Sequence, residues 1–186
     1  NIKEVSIIGF KAIIISMLIG ILIYFFIDEI SLTVLFFFNP EESVKVLSNQ
    51  YINYRSISSP FFLIIMAGSG WFLGKREVST VVFLQLLLCA LNILLSFLLG
   101  IKMNLGIKGI VIATVISEIT VGLLTILLFF IKNEYNNIAL STLIEKKSNL
   151  LFFSFNMNIF VRTVLLILAI SLITALGGRI SKEILA

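Results

Sequence analysis

Three long apolar runs, Ser6–Ile27, Thr80–Gly100 and Ile107–Ile131, constrain this chain more than any other feature. A helix needs roughly 20 apolar residues to cross about 30 Å of hydrocarbon, and each run meets that length. Inside a bilayer every backbone N–H and C=O must find a partner within the protein, so only helices and closed barrels span it. A barrel strand alternates apolar and polar residues over about ten positions, and no stretch here does so. Composition agrees: 59% of residues are hydrophobic, 13% are charged, and the mean hydropathy is +1.13. Soluble domains carry about 25% charged residues. The expected fold is all-α, a polytopic membrane helix bundle, multi-pass and integral to the cytoplasmic (plasma) membrane, with the lipid bilayer as its first partner.

Two further spans complete the expected set of five. Phe36-Phe37-Phe38 leads to Asn39-Pro40, and Pro suits the first turn of a helix followed by Glu41 and Glu42. That helix, Glu41–Ser59, is amphipathic and runs into the apolar Pro60–Leu73, which is too short to span alone. One long helix is expected, polar in its first half and kinked near Pro60. The last span is Ile159–Leu176, preceded by the amphipathic Leu150–Asn158. Between the fourth and fifth spans, Lys132–Asn149 is polar and charged and has the character of a linker. The first run is longer than a signal-peptide core, and Ala12, Ser16 and Gly20 give it a packing face rather than a cleavage site. Asn1 and Ala186 do not have the character of natural termini, so the chain is expected to belong to a longer protein.

The net charge of +4 comes from 14 basic and 10 acidic residues. Their clustering between apolar runs marks loops rather than a nucleic-acid groove, so no nucleic acid is expected as a partner. With Asn1 cytoplasmic, the inside segments hold Lys3, Lys11, Lys75, Arg76, Lys132, Lys146 and Lys147. The outside then holds Lys45, Lys102, Lys108, Arg179, Lys182 and the acidic cluster of Asp28, Glu29, Glu41 and Glu42. The positive-inside rule favours that orientation. One cysteine and no histidine give neither an intrachain disulfide nor a zinc or iron site, so no metal or cofactor is expected. The chain has no phosphate-binding glycine loop and no Ser-His-Asp or paired-carboxylate arrangement, which argues against an enzyme.

Polar residues inside spans are the informative ones, because hydrocarbon gives them no partners. Gln85, Cys89, Asn92 and Ser96 recur at helical spacing and share one stripe of the third span. They either bond neighbouring helices or, for Asn92 and Ser96, line a cavity. Glu118 is the one carboxylate deep in an apolar run. It is expected to be protonated, paired or facing water, either bonding a neighbouring helix or taking part in proton-linked chemistry. Arg162 opens the last span, where snorkelling to the interface is its simplest role. Tyr51, Tyr54 and Arg55 suit interface anchoring better than ligand contact.

Several short motifs, in their order along the chain, resemble a known family. They are Tyr51-Ile-Asn-Tyr-Arg-Ser-Ile-Ser-Ser-Pro60, Gly70-Trp-Phe-Leu-Gly74, Leu91-Asn-Ile93, Gly106-Ile-Lys-Gly109 and Ile112-Ala-Thr114. Together they resemble the multidrug and toxic compound extrusion (MATE) transporters, and among these the DNA-damage-inducible branch. Ile159-Phe-Val-Arg-Thr163 through Ile184-Leu-Ala186 is similar to the start of that family's second half. The resemblance implies a twelve-helix exporter of two six-helix lobes that moves a small organic substrate against a proton or sodium gradient. Residues 1–131 would be the C-terminal part of the first lobe, with about four spans. Residues 132–149 would be the cytoplasmic lobe connector, and 150–186 the first helix of the second lobe. The missing remainder of the two-lobe transporter is then an implied partner, in keeping with the repeated halves of secondary transporters. The family's first-lobe cation site uses an Asn and an Asp one turn apart on its fifth helix. Asn92 matches that Asn, whereas Ser96 stands at the Asp position, which would pass the charge to Glu118 or to a residue outside this chain. The resemblance leaves two other roles open, a lipid-linked saccharide flippase or a non-transporting scaffold or remnant.

Overall fold

The computed structural model describes residues 2–38, 40, 42–133, 157 and 161–173. The chain divides into two compact units, 1–138 and 139–186. In the first unit, α1 (Ile2–Phe25), α2 (Ile27–Phe38), α3 (Glu42–Ser56), α4 (Ser59–Gly74), α5 (Val78–Leu95), a π-helical segment (Ser96–Lys102) and α6 (Gly106–Lys132) follow in order. In the second unit the described residues form α7 (Val161–Ile173), an apolar helix. The expected connector beyond Asn133, the amphipathic stretch Leu150–Asn158 and both ends of the last span lie outside the described residues.

Among the described residues, three helical stretches are long and apolar enough to cross a membrane: Glu4–Phe25, Val78–Lys102 and Gly106–Lys132. Taken together as one span, the pair Val44–Ser56 and Ser59–Gly74, bent by 62°, makes a fourth. Most large apolar side chains on these helices are exposed, as lipid-facing residues of a bundle must be. Lipid removes the hydrophobic drive between helices, so close packing and polar bonds must hold them together. Small residues on α6 supply the packing. Gly109, Ala113, Ser117, Val121, Thr125 and Phe129 recur every four positions and are all buried. A Cβ on Gly109 would stand 2.6 Å from the Leu99 backbone, and one on Gly122 would stand 2.8 Å from Phe61 Cβ.

Alpha1 packs antiparallel on α4, and α4 on α6. Near one end, Phe10 meets Phe129 edge-on at 5.0 Å, Trp71 lies 4.6 Å from Phe129, and Trp71 Nε1 donates to Val5 O at 3.0 Å. These rings join Ile65, Phe72, Leu84 and Val121 in the buried core. Toward the other end a Cβ on Gly20 would overlap the backbone of Pro60, so α1 and α4 touch there main chain to main chain.

The structure refines or corrects the sequence reading in four places. The stretch after Asp28-Glu29 is helical: α2 follows α1 with Phe26 N donating to Leu22 O and Ile30 N to Phe26 O. It packs on α3, where Ser31 Oγ donates to Asn49 Oδ1 at 2.7 Å. Second, the kink expected near Pro60 is centred at Ile57-Ser58, less than one turn before the proline. In a continuous helix Pro60 would have to donate to Ser56 O, but it has no N–H and its ring clashes with that carbonyl. The ladder therefore breaks on its N-terminal side, while Pro60 itself sits in the first turn of α4. Serine hydroxyls take up the freed groups: Ser56 Oγ bonds Asn53 O at 2.7 Å, and Ser59 Oγ lies 2.7 Å from Ser56 O and 2.8 Å from Gly20 O, with one proton for the two. Third, the third span keeps its length but changes to π-helix at Ser96. Fourth, Lys11 is buried within α1 and not in a cytoplasmic segment, which narrows the basic bias used for orientation.

Candidate functional site

Alpha6 is the axis of the candidate site because it carries two polar groups one turn apart, each bonded to a different helix. Glu118 faces the break between α3 and α4. Arg55 Nη2 donates to Glu118 Oε1 at 2.7 Å, and Ser58 Oγ lies 2.6 Å from Glu118 Oε2. Ser58 Oγ also lies 3.0 Å from Arg55 O, but its single proton is best placed on the carboxylate, where charge strengthens the bond. The Glu118 side chain is 5% exposed and that of Arg55 is 35% exposed. A lone carboxylate at this depth would be costly, and a guanidinium with a hydroxyl on the second oxygen removes most of that cost. With a rise of 1.5 Å per residue, Glu118 lies about 18 Å from the Gly106 end of α6 and about 21 Å from the Lys132 end. It therefore sits close to mid-span.

Thr114 precedes Glu118 by four residues and faces α5. Asn92 Nδ2 donates to Thr114 Oγ1 at 2.8 Å, and Thr114 Oγ1 donates to Ile110 O at 3.0 Å. Asn92 Oδ1 is left as an acceptor. One turn on, Ser96 Oγ is buried and has no hydrogen-bond partner among the described residues. Ser96 opens the π-helical segment, and such segments often mark functional sites. Asn92 and Thr114 thus meet on a seam between α5 and α6, Ser96 follows Asn92 by one turn, and an ionic pair lies one turn along α6 from Thr114.

The remaining residues singled out from the sequence fall elsewhere. Gln85 is half-buried on α5, two turns before Asn92, while Cys89 between them is exposed, so the expected stripe is not uniformly interior. Tyr51 lies on α3 one turn before Arg55 and lines an open apolar groove of about 430 Å³ with Leu35, Phe38 and Ile107. Arg162 is exposed in the first turn of α7, in the second unit. Arg55 itself corrects the expectation of an interface anchor: it turns inward to the carboxylate. Sequence reasoning named Glu118 without its partners, because 63 residues separate it from Arg55 and no periodicity links them.

A second charged cluster closes the end of the bundle where Trp71 meets Phe129. Lys132 Nζ contacts Glu77 Oε2 and Thr80 Oγ1, and Lys75 Nζ donates to Lys132 O at 2.7 Å. The turn holding Glu77 carries Arg76 at φ 64°, with Glu77 N bonding Phe72 O and Arg76 N bonding Leu73 O. Those two bonds are the Schellman ending of a helix. Burial alone pushes the Glu77 carboxyl up. The hydrogen bond and charge of Lys132, helped by Thr80 and Lys75, outweigh it and hold the group below its ordinary value.

Comparison with known proteins adds to this geometry. The MatE family model matches residues 1–98, just over half of the chain and all of α1 to α5. DNA damage-inducible protein F of Escherichia coli (strain K12) is 28% identical over 148 residues, covering 78% of this chain and 32% of that relative. The chain spans about a third of the length of that curated relative. No solved structure matches. With a family match over more than half its length, carried by membrane-length helices, this multi-pass integral membrane chain belongs to the MatE family.

Proposed function

We propose that the chain is part of a secondary active antiporter that exports organic, drug-like compounds, cationic or amphiphilic, at the expense of a proton or sodium gradient. In this reading residues 1–131 belong to a first lobe, 132–149 connect the lobes, and 150–186 open the second. The observation that carries the proposal is the Asn92–Thr114 bond between α5 and α6, with the buried Ser96 Oγ one turn along from Asn92. Hard cations take oxygen ligands, and Asn92 and Ser96 offer oxygens one turn apart. The Glu118 carboxylate, one turn from Thr114, is engaged by Arg55 and Ser58, so the seam itself carries uncharged oxygens. A flippase for lipid-linked saccharides would want a basic cavity, and Arg55 is already neutralised by Glu118, which weakens that alternative.

The test uses the full-length protein in inverted membrane vesicles. An imposed proton or sodium gradient should drive uptake of ethidium, and Asn92→Ala should reduce the rate several-fold while leaving the protein inserted. No gradient-driven dye movement with correctly inserted protein would favour the scaffold reading instead.

A further inference from the structure

Alpha2 and α3 form a helical hairpin with almost no core of its own. No apolar residue of α3 is buried among those described, and α2 buries only Ser31 and Leu35. The two helices hold each other through Ser31 and Asn49. The hairpin joins the bundle at Phe26, where the helical hydrogen bonds run on from α1 into α2, and at Ile57-Ser58, where the ladder between α3 and α4 breaks. Just below the second, α1 and α4 are locked main chain to main chain at Gly20 and Pro60, so the bundle side of the joint is rigid. On the hairpin side the ion pair from Arg55 to Glu118 is, among the described residues, the one link to α6 that joins opposite charges, and Ser58, in the joint itself, completes it.

We propose that Arg55, Glu118 and Ser58 form a charge latch that fixes the α2–α3 hairpin to α6, and that opening it lets the hairpin swing as a unit about the Ile57-Ser58 joint. The physics favours a two-position device. A guanidinium is either on the buried carboxylate or off it, and a partly engaged pair would leave a charge unpaired in low dielectric. The α-helical ladder is already interrupted at the joint, which is bridged by the long turn bonds Ile57 N to Tyr54 O and Ser58 N to Arg55 O at 3.4 and 3.2 Å and by serine hydroxyls, so a change of bend there has no α-helical ladder to break. Alpha3 is about 22 Å long, so a swing of roughly 10° carries its far end about 4 Å. The device stands on this geometry whether or not the chain takes part in export.

The experiment places spin labels at Val46 on α3 and Leu123 on α6, both exposed, in full-length protein with Cys89→Ser, reconstituted in lipid nanodiscs. A control pair, Leu18 on α1 and Leu86 on α5, reports the bundle alone. Val46 lies about 17 Å from the joint, so Arg55→Gln and Glu118→Gln should each shift or broaden the Val46–Leu123 distance by about 3 Å and leave the control narrow. The charge exchange, Arg55→Glu with Glu118→Arg, should bring back the narrow distribution. An unchanged Val46–Leu123 distribution in the glutamine variants overturns the latch, as does an exchange that restores nothing. If the glutamine variants also broaden the control, Ser58→Ala decides in their place: broadening confined to Val46–Leu123 supports the latch, and no change overturns it.

Discussion

Replacing Gly20 by Ala tests the packing of the bundle at its tightest point, and Gly70 provides the internal control. Both glycines lie inside helices, so both substitutions gain about 1 kcal/mol of helix propensity. Their surroundings differ. A Cβ on Gly70 meets nothing within 4 Å, whereas one on Gly20 overlaps the Pro60 backbone, which has no rotamer to turn aside. Forcing a methyl into such a contact costs about 1–3 kcal/mol. Pushing the helices apart also strains the Ser59 hydroxyl off Gly20 O, a loss of about 0.5–1 kcal/mol. Subtracting the propensity gain leaves Gly20→Ala destabilised by roughly 0.5–3 kcal/mol, against neutral to about 1 kcal/mol stabilised for Gly70→Ala. Thermal unfolding of the full-length protein in detergent, followed by the loss of the monodisperse peak on size exclusion, reads the difference. Equal midpoints for the two variants would refute the claim that α1 and α4 meet through their main chains.

Three further outcomes follow from the geometry. A double-mutant cycle with Asn92→Ala and Thr114→Val should show a coupling of about 0.6 kcal/mol, and no more than roughly 1.7, in unfolding from detergent; zero coupling would mean the bond is not made. The Glu77 carboxyl is held below its ordinary value, so its stabilising contribution is present at neutral pH and above the unfolded value, and it is lost as pH falls through the folded value. Glu77→Gln should therefore be less stable than the parent at pH 7 and show a smaller loss on acidification; parallel curves would contradict the ion pair with Lys132. A cysteine at exposed Arg76 in a Cys89-free background should be shielded from an impermeant thiol reagent in intact cells, while one at Glu42 should label; the reverse would invert the topology.

The spans were legible because their signal is local: length and apolarity suffice, and α1, α5 with its π-helical extension, and α6 fall where the apolar runs lie. The kink was legible because Pro60 cannot donate to Ser56 O and its ring clashes with that carbonyl, which breaks the helix within the turn before it. What was not legible is how serine hydroxyls take up the freed carbonyls, since that depends on which ones they reach. Alpha2 escaped notice because Asp28 and Glu29 resemble a loop, although at a helix start they favour the dipole. Asn92, Ser96 and Glu118 stood out as polar residues in apolar surroundings. Their partners, Thr114, Arg55 and Ser58, are set by how α6 lies between α3 and α5, and no spacing along the chain encodes that.

The most direct test of the central claim, a cation site on the α5–α6 seam, is the ion dependence of transport in Ser96→Asp. A neutral hydroxyl cannot exchange a proton near physiological pH, whereas a carboxylate in a partly buried site can, and it also adds a charged ligand for sodium. In proteoliposomes of the full-length protein, ethidium efflux by Ser96→Asp should depend more steeply on the imposed proton or sodium gradient than efflux by the parent. Asn92→Ala should flatten that dependence in the same assay. A stable, correctly inserted Ser96→Asp with the parent's ion dependence, together with an Asn92→Ala that transports normally, would contradict the account and place coupling away from this seam.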